Sequence, residues 1–484
     1  MSRVALLLAV AALVSGCTAA EGEPKPAATT SSATPAPEPR PVPPVTLTAD
    51  RPRQSPGDVA AGGGGAPYNY APTLLADGGK YRMWWCSQVG GAGPAGDDIL
   101  LAEADSPGGP FSAAVPVFSG GGSGFDAQHV CDPSVLKVGS TYYMYYTGAE
   151  ADHPYGSAIG LATSPDGRTW TRANQGKPIV AMSRNHMRDN DYGAGQPAAS
   201  YVDGWFYLLF TDTTGAAAGW NGAGQFVLRA KDPSFAADVE ILAPGGFRRD
   251  TSTHARLRSV VDAFSVDVMW VDALAAFAIA HEVDGGTRIT FWDKEFRAQP
   301  YPPAMIPGPW REGPGLVRDG EGHAPRSIED PCERVPVDLV RATRMEAAPT
   351  GLAHFGVDLV GTRACEDPSR AGPALVGFAV PSPERTIDLV TRDGLIRVER
   401  RAVAEKLAAR VLDTRVPGLD PVAVQARVGA AAKVLASDSG TGFLISGKLF
   451  PFADPAVATL NASPVTRVTA RQWGQYERGP RLGP

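Results

Sequence analysis

The most informative segment of the sequence is DPSVLKVGSTYYMYYT, residues 132–147. It is rich in β-branched and aromatic residues, and the Gly139-Ser140 pair divides it into two runs of similar length. Both features are typical of two antiparallel strands joined by a tight turn. The segment therefore predicts a β-hairpin that begins at Asp132.

Similar segments recur along the chain at intervals of about 55 to 70 residues, and a fixed repeat of this length is typical of propellers. Each copy has an apolar strand, a turn containing Gly, Asp-Gly or another small residue, and an aromatic strand. Three or four short strands per copy match the blade of a propeller better than an immunoglobulin-type sandwich. We therefore predict an all-β fold, a five-bladed β-propeller over residues 59–385. The other copies lie at 69–85, 196–211, 264–292 and 309–381.

The composition agrees with a folded protein made of short strands and turns. The chain has 484 residues, of which 43% are hydrophobic, 55 are glycine and 44 are proline. The formal net charge is −6, and no basic block of the kind that neutralises a phosphate backbone occurs in the sequence. Nucleic acid is therefore not an expected partner.

The N-terminal segment predicts export. Residues 1–17 combine one basic residue, a short apolar run and the sequence Leu13-Val14-Ser15-Gly16-Cys17, which resembles the bacterial lipobox. Cys17 is then the lipidated residue, and the alternative is an ordinary signal peptide with a chance cysteine. Residues 18–58, rich in Pro, Ala and Thr, are expected to form a tether. The predicted location is the bacterial cell envelope, where the lipid anchors the exported protein to the membrane.

Four cysteines remain if Cys17 carries lipid, and they form an even set in an exported protein. Disulfides persist in such compartments. We favour the pairs Cys86–Cys131 and Cys332–Cys365 because each pair lies on strands expected to be adjacent. Zinc is the alternative, although no CxxC or HxxxH spacing supports it, and we predict no metal site and no cofactor.

The last hundred residues differ from the repeats. Residues 400–411 and 421–435 have the spacing of apolar residues that predicts helices, and residues 442–452 predict a hairpin. We therefore predict a small α+β appendage over residues 386–484, with no catalytic role.

The propeller geometry brings particular polar residues together. The innermost strand of each blade starts at the mouth of the central channel. On the alignment of copies used here, Asn69, Asp132, Gln196 and Asp267 therefore surround one funnel.

The second repeat also resembles a known group of enzymes. Together with the turn at 164–170, it is similar to the five-bladed propellers of glycoside hydrolase family 43 and its relatives in families 32, 62 and 68. The resemblance covers roughly residues 60–385. The segments that carry it are DPSV at 132–135, YYMYYT at 142–147 and SPDGRTW at 164–170.

The resemblance implies a set of catalytic positions. Inverting members of that clan use a general base that opens the first blade, a carboxylate that opens the second, and a glutamic acid that opens the third. These roles fall on Asn69, Asp132 and Gln196 of this chain. An amide neither donates nor accepts the catalytic proton at neutral pH, so two of the three acidic positions are lost. Whether the chain is an enzyme therefore depends on a relocated acid or on assistance from the substrate.

Asp267 is the candidate for the second catalytic residue, beside Asp132. A carboxylate in an otherwise apolar strand is costly unless it faces a polar channel or is paired. Other acidic groups near the strand starts offer further candidates, and an alternative for Asp132 is to cap its strand. The loops supply Asp126, Asp189, Asp191 and the pair His281-Glu282.

Sugar binding is expected from the remaining polar and aromatic residues at the funnel. Glycines before Gln196 let the backbone approach a ligand, and its amide suits hydrogen bonding to vicinal hydroxyls. His129 either contacts a sugar or packs beside Cys131. Most aromatic residues are expected to pack between blades, with Tyr70 and Trp220 left as exposed platforms. The predicted substrate-binding residues are Asn69, Tyr70, His129, Asp191 and Gln196.

Two functions follow. The first is a surface-anchored, glycosidase-like propeller that binds an oligosaccharide or polysaccharide in its funnel and hydrolyses it. The alternative is a non-catalytic propeller that binds a glycan or another protein. The two differ in whether two carboxyl groups converge at the channel mouth.

Overall fold

The computed structural model describes residues 45–60, 69–89, 96–150, 156–343 and 351–483. These residues belong to one compact unit, Pro44–Pro484. The predicted signal peptide, Cys17 and most of the predicted tether lie outside the described residues. None of the helices in the described ranges has both the length and the apolar character of a membrane span.

The repeats form consecutive antiparallel sheets, and the strands are named here in chain order. The first strand, β1 (Thr48–Ala60), pairs with a strand some 300 residues later. The next sheets contain β2 (Tyr70–Asp77), β3 (Lys80–Ser87), β4 (Asp98–Ala104) and β5 (Val115–Phe118), then β6 (His129–Val138), β7 (Thr141–Ala149), β8 (Ala158–Ser164) and β9 (Thr171–Arg172).

The following two sheets have the same antiparallel pattern. One contains β10 (Ala194–Val202), β11 (Trp205–Asp212), β12 (Gln225–Ala230), β13 (Val239–Ala243) and β14 (Gly246–Asp250). The other contains β15 (Val266–Val271), β16 (Ala276–Val283), β17 (Gly286–Trp292) and β18 (Ala304–Pro307). The hairpins predicted at 132–147 and 196–211 are thus β6–β7 and β10–β11.

The last repeat closes on the first. It contains β19 (Glu312–Arg318), β20 (Arg334–Ala342) and β21 (Leu352–Val360), and β1 lies beside β21. A short parallel pairing of β19 with β2 merges this group with β2–β5 into one eight-stranded sheet. Residues 48–58, assigned to the tether in the sequence analysis, therefore belong to the folded sheet. Their composition is typical of a linker, but they form a strand because they pair with β21.

The first strands of the repeats, which we call the inner strands, contact one another in a closed ring. β2 contacts β6, β6 contacts β10, β10 contacts β15, β15 contacts β19, and β19 contacts β2. Among the described residues, one hydrophobic cluster fills each interface between neighbouring groups of strands. The aromatic runs supply much of this packing, as predicted. Contacts between aromatic side chains of neighbouring groups include Trp84 with Tyr142, Tyr143 with Phe206, and Tyr207 with Phe277.

The C-terminal region packs as two small sheets with short helices. The helix predicted at 400–411 is present as Arg401–Leu407, and the predicted hairpin is present at Gly440–Phe452. The helix predicted at 421–435 is absent, because Val424–Val428 and Val434–Ser437 are strands. Each of these strands pairs in parallel with a neighbour, and this pairing overrides the helical spacing.

The remaining elements complete this region. The helices are α1 (Pro368–Ala374), α2 (Arg401–Leu407), α3 (Ala456–Leu460) and α4 (Ala470–Gly474). The strands are β22 (Ala379–Pro381), β23 (Ile387–Thr391), β24 (Gly394–Val398), β25 (Val424–Val428), β26 (Val434–Ser437), β27 (Gly440–Ile445), β28 (Lys448–Phe452), β29 (Val465–Arg467) and β30 (Glu477–Arg478).

Candidate functional site

All the inner strands start around one small open cavity of about 20 Å³. This volume is about that of one water molecule, well below the roughly 300 Å³ of ligand clefts. Every inner strand, or the residue before it, contributes to the wall. The lining residues are Ala71, Pro72, Asp132, Pro133, Ser134, Gln196, Pro197, Ser265, Val266, Asp267, Gly313 and Pro314.

A repeated backbone feature aims these residues at the cavity. In β2, β6, β10 and β19 a residue with positive φ precedes a proline, and the pairing register shifts there. Such a bulge redirects a side chain out of the regular strand alternation, and proline is tolerated because it leaves the ladder at this point. The residues concerned are Ala71, Asp132, Gln196 and Gly313. Asn69, which the sequence analysis aligns with Asp132, therefore lies two residues before the matching position.

Asp132 lies at the cavity and is only 7% exposed. Burial raises the pKa of its carboxyl, and hydrogen bonds from the hydroxyl groups of Thr147 and Tyr192 oppose that rise. The Tyr192 hydroxyl lies 3.2 Å from Asp132 Oδ2. The Thr147 hydroxyl also accepts the backbone N–H of Gln196 at 2.8 Å. Asp132 is thus held by donors from two neighbouring strands or loops.

Glu312 is the second carboxyl group of the site, and the sequence analysis missed it. It starts β19 and keeps partial solvent access. Burial, followed by the charges of Asp132 and Asp97, raises the pKa of Glu312 to about 8. The side-chain amide of Gln196 donates to Glu312 Oε1 at 3.4 Å, while Gln196 Oε1 is buried with no partner among the described residues. At neutral pH Glu312 therefore retains its proton.

A third carboxylate, Asp97, lies beside these two and was also missed. It is 9% exposed, and the hydroxyl of Tyr70 donates to its Oδ2. His129 Nδ1 lies 3.2 Å from the same oxygen. Tyr70 and His129, both predicted to bind substrate, thus meet on Asp97 at the edge of the Asp132–Glu312 pair.

Asp267 also lines the cavity, but its carboxylate is engaged elsewhere. Oδ1 accepts the backbone N–H of Val268 at 2.8 Å, and Oδ2 accepts that of Leu316 at 2.7 Å. The fully buried Arg318 lies 3.0 Å from Oδ1. Arg318 also donates to Ala199 O, Val268 O and Thr73 Oγ1, which lie on three other inner strands. Asp267 is therefore one half of an ion pair that ties the inner strands together.

The remaining predicted site residues lie in different surroundings. Asn69 is fully buried and accepts the indole N–H of Trp85 at 2.8 Å. Asp191 is partly buried, and its Oδ1 has no partner among the described residues. Asp191 immediately precedes Tyr192, the residue that contacts Asp132.

Both predicted disulfides are confirmed. Cys86 pairs with Cys131, and Cys332 pairs with Cys365. The first bridge links β3 to β6 next to Asp132, so it fixes the start of the strand that carries this residue. The sulfurs of this bridge and a carboxylate oxygen of Asp97 lie within 4.8 Å of one another. Since both sulfurs are bonded to each other, they are not available as thiolate ligands for a metal.

A larger cleft of about 650 Å³ lies between the propeller-like sheets and the C-terminal region. Its charged groups are paired with one another. Asp272 contacts His323 at 3.1 Å and Arg326 at 2.7 Å, and Arg392 forms an ion pair with Glu321. Among the described lining residues these carboxylates therefore have basic partners, and the cleft is the weaker candidate for acid–base catalysis.

No family model and no curated protein matches the chain. Several solved structures do. A family 117 glycoside hydrolase of the marine bacterium Zobellia galactanivorans matches with 13% identity and a TM-score of 0.43, covering 65% of this chain and 91% of that one. The catalytic domain of a family 62 α-L-arabinofuranosidase of Coprinopsis cinerea matches with 12% identity and a TM-score of 0.41, covering 64% and 97%.

A family 43 β-xylosidase/α-arabinofuranosidase from a compost microbial metagenome, in complex with xylotriose, matches with 11% identity and a TM-score of 0.39. The match covers 70% of this chain and 99% of that one. These solved structures are glycoside hydrolases with propeller folds, similar to this chain at low sequence identity.

Proposed function

We propose that the closed ring of inner strands is the centre of a five-bladed propeller. The blades are β2–β5, β6–β9, β10–β14, β15–β18, and β19–β21 with β1. The ring of contacts and the hydrophobic cluster at each interface support this count. In this arrangement β1 closes the last blade, and the N-terminal segment holds the ring shut.

We further propose that the protein hydrolyses a glycosidic bond at the small cavity. The observation that carries this proposal is the carboxyl pair at the starts of two inner strands: Asp132 lines the cavity, and Glu312 immediately precedes the lining residue Gly313. Hydrolysis of a glycoside uses one protonated carboxyl and one carboxylate, one on each side of the scissile bond. The resemblance of residues 132–147 to family 43 glycosidases points to the same chemistry.

The surroundings of the two groups assign their roles. Like charges held close together do not ionise together, so the pair holds one proton at neutral pH. Asp132 receives hydrogen bonds from Tyr192 and Thr147, which favour its charged form. Glu312 receives one long bond from the Gln196 amide and two repulsive charges. We therefore assign the proton to Glu312, which acts as general acid, and the carboxylate to Asp132, which acts as general base.

In this reaction Glu312 donates its proton to the glycosidic oxygen as the bond to the anomeric carbon breaks. Asp132 takes a proton from a water molecule whose oxygen attacks that carbon. The products are two sugar hydroxyl groups; Asp132 then releases its proton to solvent and Glu312 regains one, which restores both groups. Asp97, with Tyr70 and His129, is placed to bind sugar hydroxyls beside the reacting atoms. Asp267 is a structural residue in this assignment rather than a catalytic one.

The test is release of reducing sugar by the full chain from arabino-, xylo- and fructo-oligosaccharides. Glu312→Gln and Asp132→Asn are expected to abolish release. Glu405→Gln, which changes an exposed glutamate on α2, is the matched control and is expected to leave it unchanged. Turnover that survives in both site variants would contradict the proposal.

A non-catalytic glycan-binding function is the second candidate, and one observation favours it. Ala71, Gln196 and Gly313, at three of the four bulged strand starts, carry no ionisable group. Binding of an oligosaccharide without turnover in the wild-type chain, weakened by Gln196→Ala, would select this function.

We also propose that the protein is exported and anchored through lipid on Cys17. The two disulfides support an oxidising compartment, and the lipobox-like sequence supports the anchor. The test is fractionation of cells that express the chain with and without Cys17→Ser. We expect the wild-type chain in the membrane fraction and the variant in the soluble fraction; equal distribution would contradict the anchor.

A further inference from the structure

Trp220 is the most exposed large apolar side chain in the described part of the chain. Its side chain is 80% exposed, and Met187 on a neighbouring loop is 71% exposed. Most other tryptophans pack in the interior, among them Trp84 and Trp85, which are fully buried. An exposed indole on a soluble surface loses the benefit of burial, and exposed apolar patches commonly mark binding sites.

The turn that carries Trp220 is tightly specified. Gly219 N–H donates to Ala223 O at 2.6 Å, and Ala223 N–H donates to Trp220 O at 2.9 Å. Asn221 has a φ of 50° and Gly222 a φ of 86°. A Cβ at Gly222 would lie 2.7 Å from Thr213 Cα, so only glycine fits there. Residues held in sparsely populated conformations cluster at functional sites, and this turn holds the indole outward.

A buried ion pair fixes the base of the same loops. Asp212 and Arg256 are both fully buried, with Arg256 Nε 2.8 Å from Asp212 Oδ2. The same carboxylate accepts the backbone N–H of Ser183 at 2.9 Å and that of Thr214 at 2.9 Å. One carboxylate thus ties three loop segments together. Trp220 is therefore presented by a rigid support.

A short path of contacts joins Trp220 to the catalytic pair. The side-chain amide of Asn190 donates to Asn221 O at 3.0 Å. Two residues later, the hydroxyl of Tyr192 lies 3.2 Å from Asp132. Gly193 and Thr213 bind each other through two hydrogen bonds of 3.0 Å. The turn of Trp220 and the loop of Tyr192 are therefore packed together, and that loop reaches Asp132 at the cavity.

We propose that Trp220 is a stacking platform for sugar rings of a glycan chain whose scissile bond lies at the mouth of the cavity. This inference rests on the proposed glycoside hydrolysis and adds a substrate class: a chain of several sugars rather than a mono- or disaccharide. A sugar ring presents an apolar C–H face to the flat indole, while its hydroxyls remain in water. The cavity is small, so most of a longer chain lies outside it and needs a surface on the rim.

The test is isothermal titration of the full chain with arabino-, xylo- and fructo-oligosaccharides of increasing length. In the active-site variant Glu312→Gln, which prevents turnover, affinity is expected to rise with chain length. Adding Trp220→Ala is expected to lower affinity for long oligosaccharides by about tenfold and to leave the shortest ligand unchanged. Adding Trp220→Phe should retain most of the affinity, because phenylalanine also offers a flat apolar face.

Ile328→Ala is the matched control, because Ile328 is 55% exposed and lies on a loop that contacts the C-terminal region. It should leave every affinity unchanged, and thermal unfolding should be the same for all variants. Unchanged binding of long ligands by Trp220→Ala, or an equal loss at every length, overturns the platform while leaving the proposed hydrolysis intact. Absence of binding to any glycan, with no turnover by the wild-type chain, overturns both.

Discussion

Asp132 and Asp267 are buried carboxylates that line the same cavity, yet their partners differ completely. Asp267 faces a fully buried guanidinium and two backbone N–H groups, and all of these stabilise its charge. Asp132 accepts hydrogen bonds from hydroxyl groups, and its charge raises the pKa of a second carboxyl group, Glu312. Burial raises the pKa of both aspartates, but a cation compensates the charge of Asp267 within the fold, whereas in our proposal the Asp132–Glu312 pair holds an exchangeable proton.

The position of a carboxylate near the start of an inner strand does not by itself determine whether its role is structural or catalytic. Both aspartates lie near the start of an inner strand, and both occupy costly positions for a carboxylate. The group beside each carboxylate decides what it can do. A cation makes Asp267 a structural tie between strands, and in our proposal another acid makes Asp132 part of an acid–base pair.

The largest expected effect is on catalysis at the Asp132–Glu312 pair. Glu312→Gln keeps the shape of the side chain and removes its proton. We expect kcat/KM for oligosaccharide hydrolysis to fall by about 10²- to 10⁴-fold, the usual contribution of a general acid. Denaturant unfolding of the same variant should show no loss of stability at neutral pH, because the native residue is already neutral there. A large loss of stability would instead mean that Glu312 is a structural residue, like Asp267.

The next effect concerns Arg318. Arg318→Met leaves Asp267 as a buried, unpaired charge, and removal of one partner from such a pair costs about 3–5 kcal/mol of stability. Urea unfolding at neutral pH measures this loss. Asp267→Asn added to Arg318→Met should recover part of it, because the unpaired charge is then gone. If the single variant is as stable as the wild-type chain, Asp267 is not a structural residue.

A pH series separates the two sites further. The pKa of Glu312 rises from an ordinary value of 4.5 to about 8 on folding. Between these values the folded state holds a proton that the unfolded state has lost, so its stability decreases as pH rises from about 4.5 to 8. Urea unfolding at several pH values should show a weaker decrease in Glu312→Gln than in the wild-type chain. Identical slopes would contradict the raised pKa.

The smallest expected effect is at Gln196, which lines the cavity and donates a hydrogen bond to Glu312. Gln196→Ala removes one long hydrogen bond to Glu312 and, in the proposed function, a contact to substrate. A neutral hydrogen bond contributes about 0.5–1.5 kcal/mol, so kcat/KM should fall by roughly tenfold or less. Steady-state kinetics measures this. A loss as large as that of Glu312→Gln would mean that the amide acts directly on the reacting atoms.

The repeats could be predicted because their hairpins are local. An apolar strand, a turn and an aromatic strand follow one another within about 20 residues, and the glycines in the turn mark where the chain reverses. The positions of Asp132, Gln196 and both disulfides followed from that pattern. Asn69 was misaligned by two residues because Ala71-Pro72, not Asn69, matches Asp132-Pro133 in the structure.

Glu312 and Asp97 could not be assigned in the same way. Asp97 reaches the site through a loop between two strands, where no periodicity constrains its position. The sequence Glu312-Gly313-Pro314 does parallel Gly195-Gln196-Pro197, and that signal was available. The strand β1 was hidden for another reason: it pairs with β21 across nearly the whole chain, and local composition carries no information about a partner so distant.

The most direct test of the account compares two substrates with different leaving groups. We expect Glu312→Gln to lose most of its activity on an oligosaccharide and far less on a dinitrophenyl glycoside of the same sugar, whose leaving group needs no proton. Asp132→Asn should lose activity on both, because activation of water is still required. An equal loss on the two substrates in Glu312→Gln would contradict the assignment of Glu312 as the acid of this site.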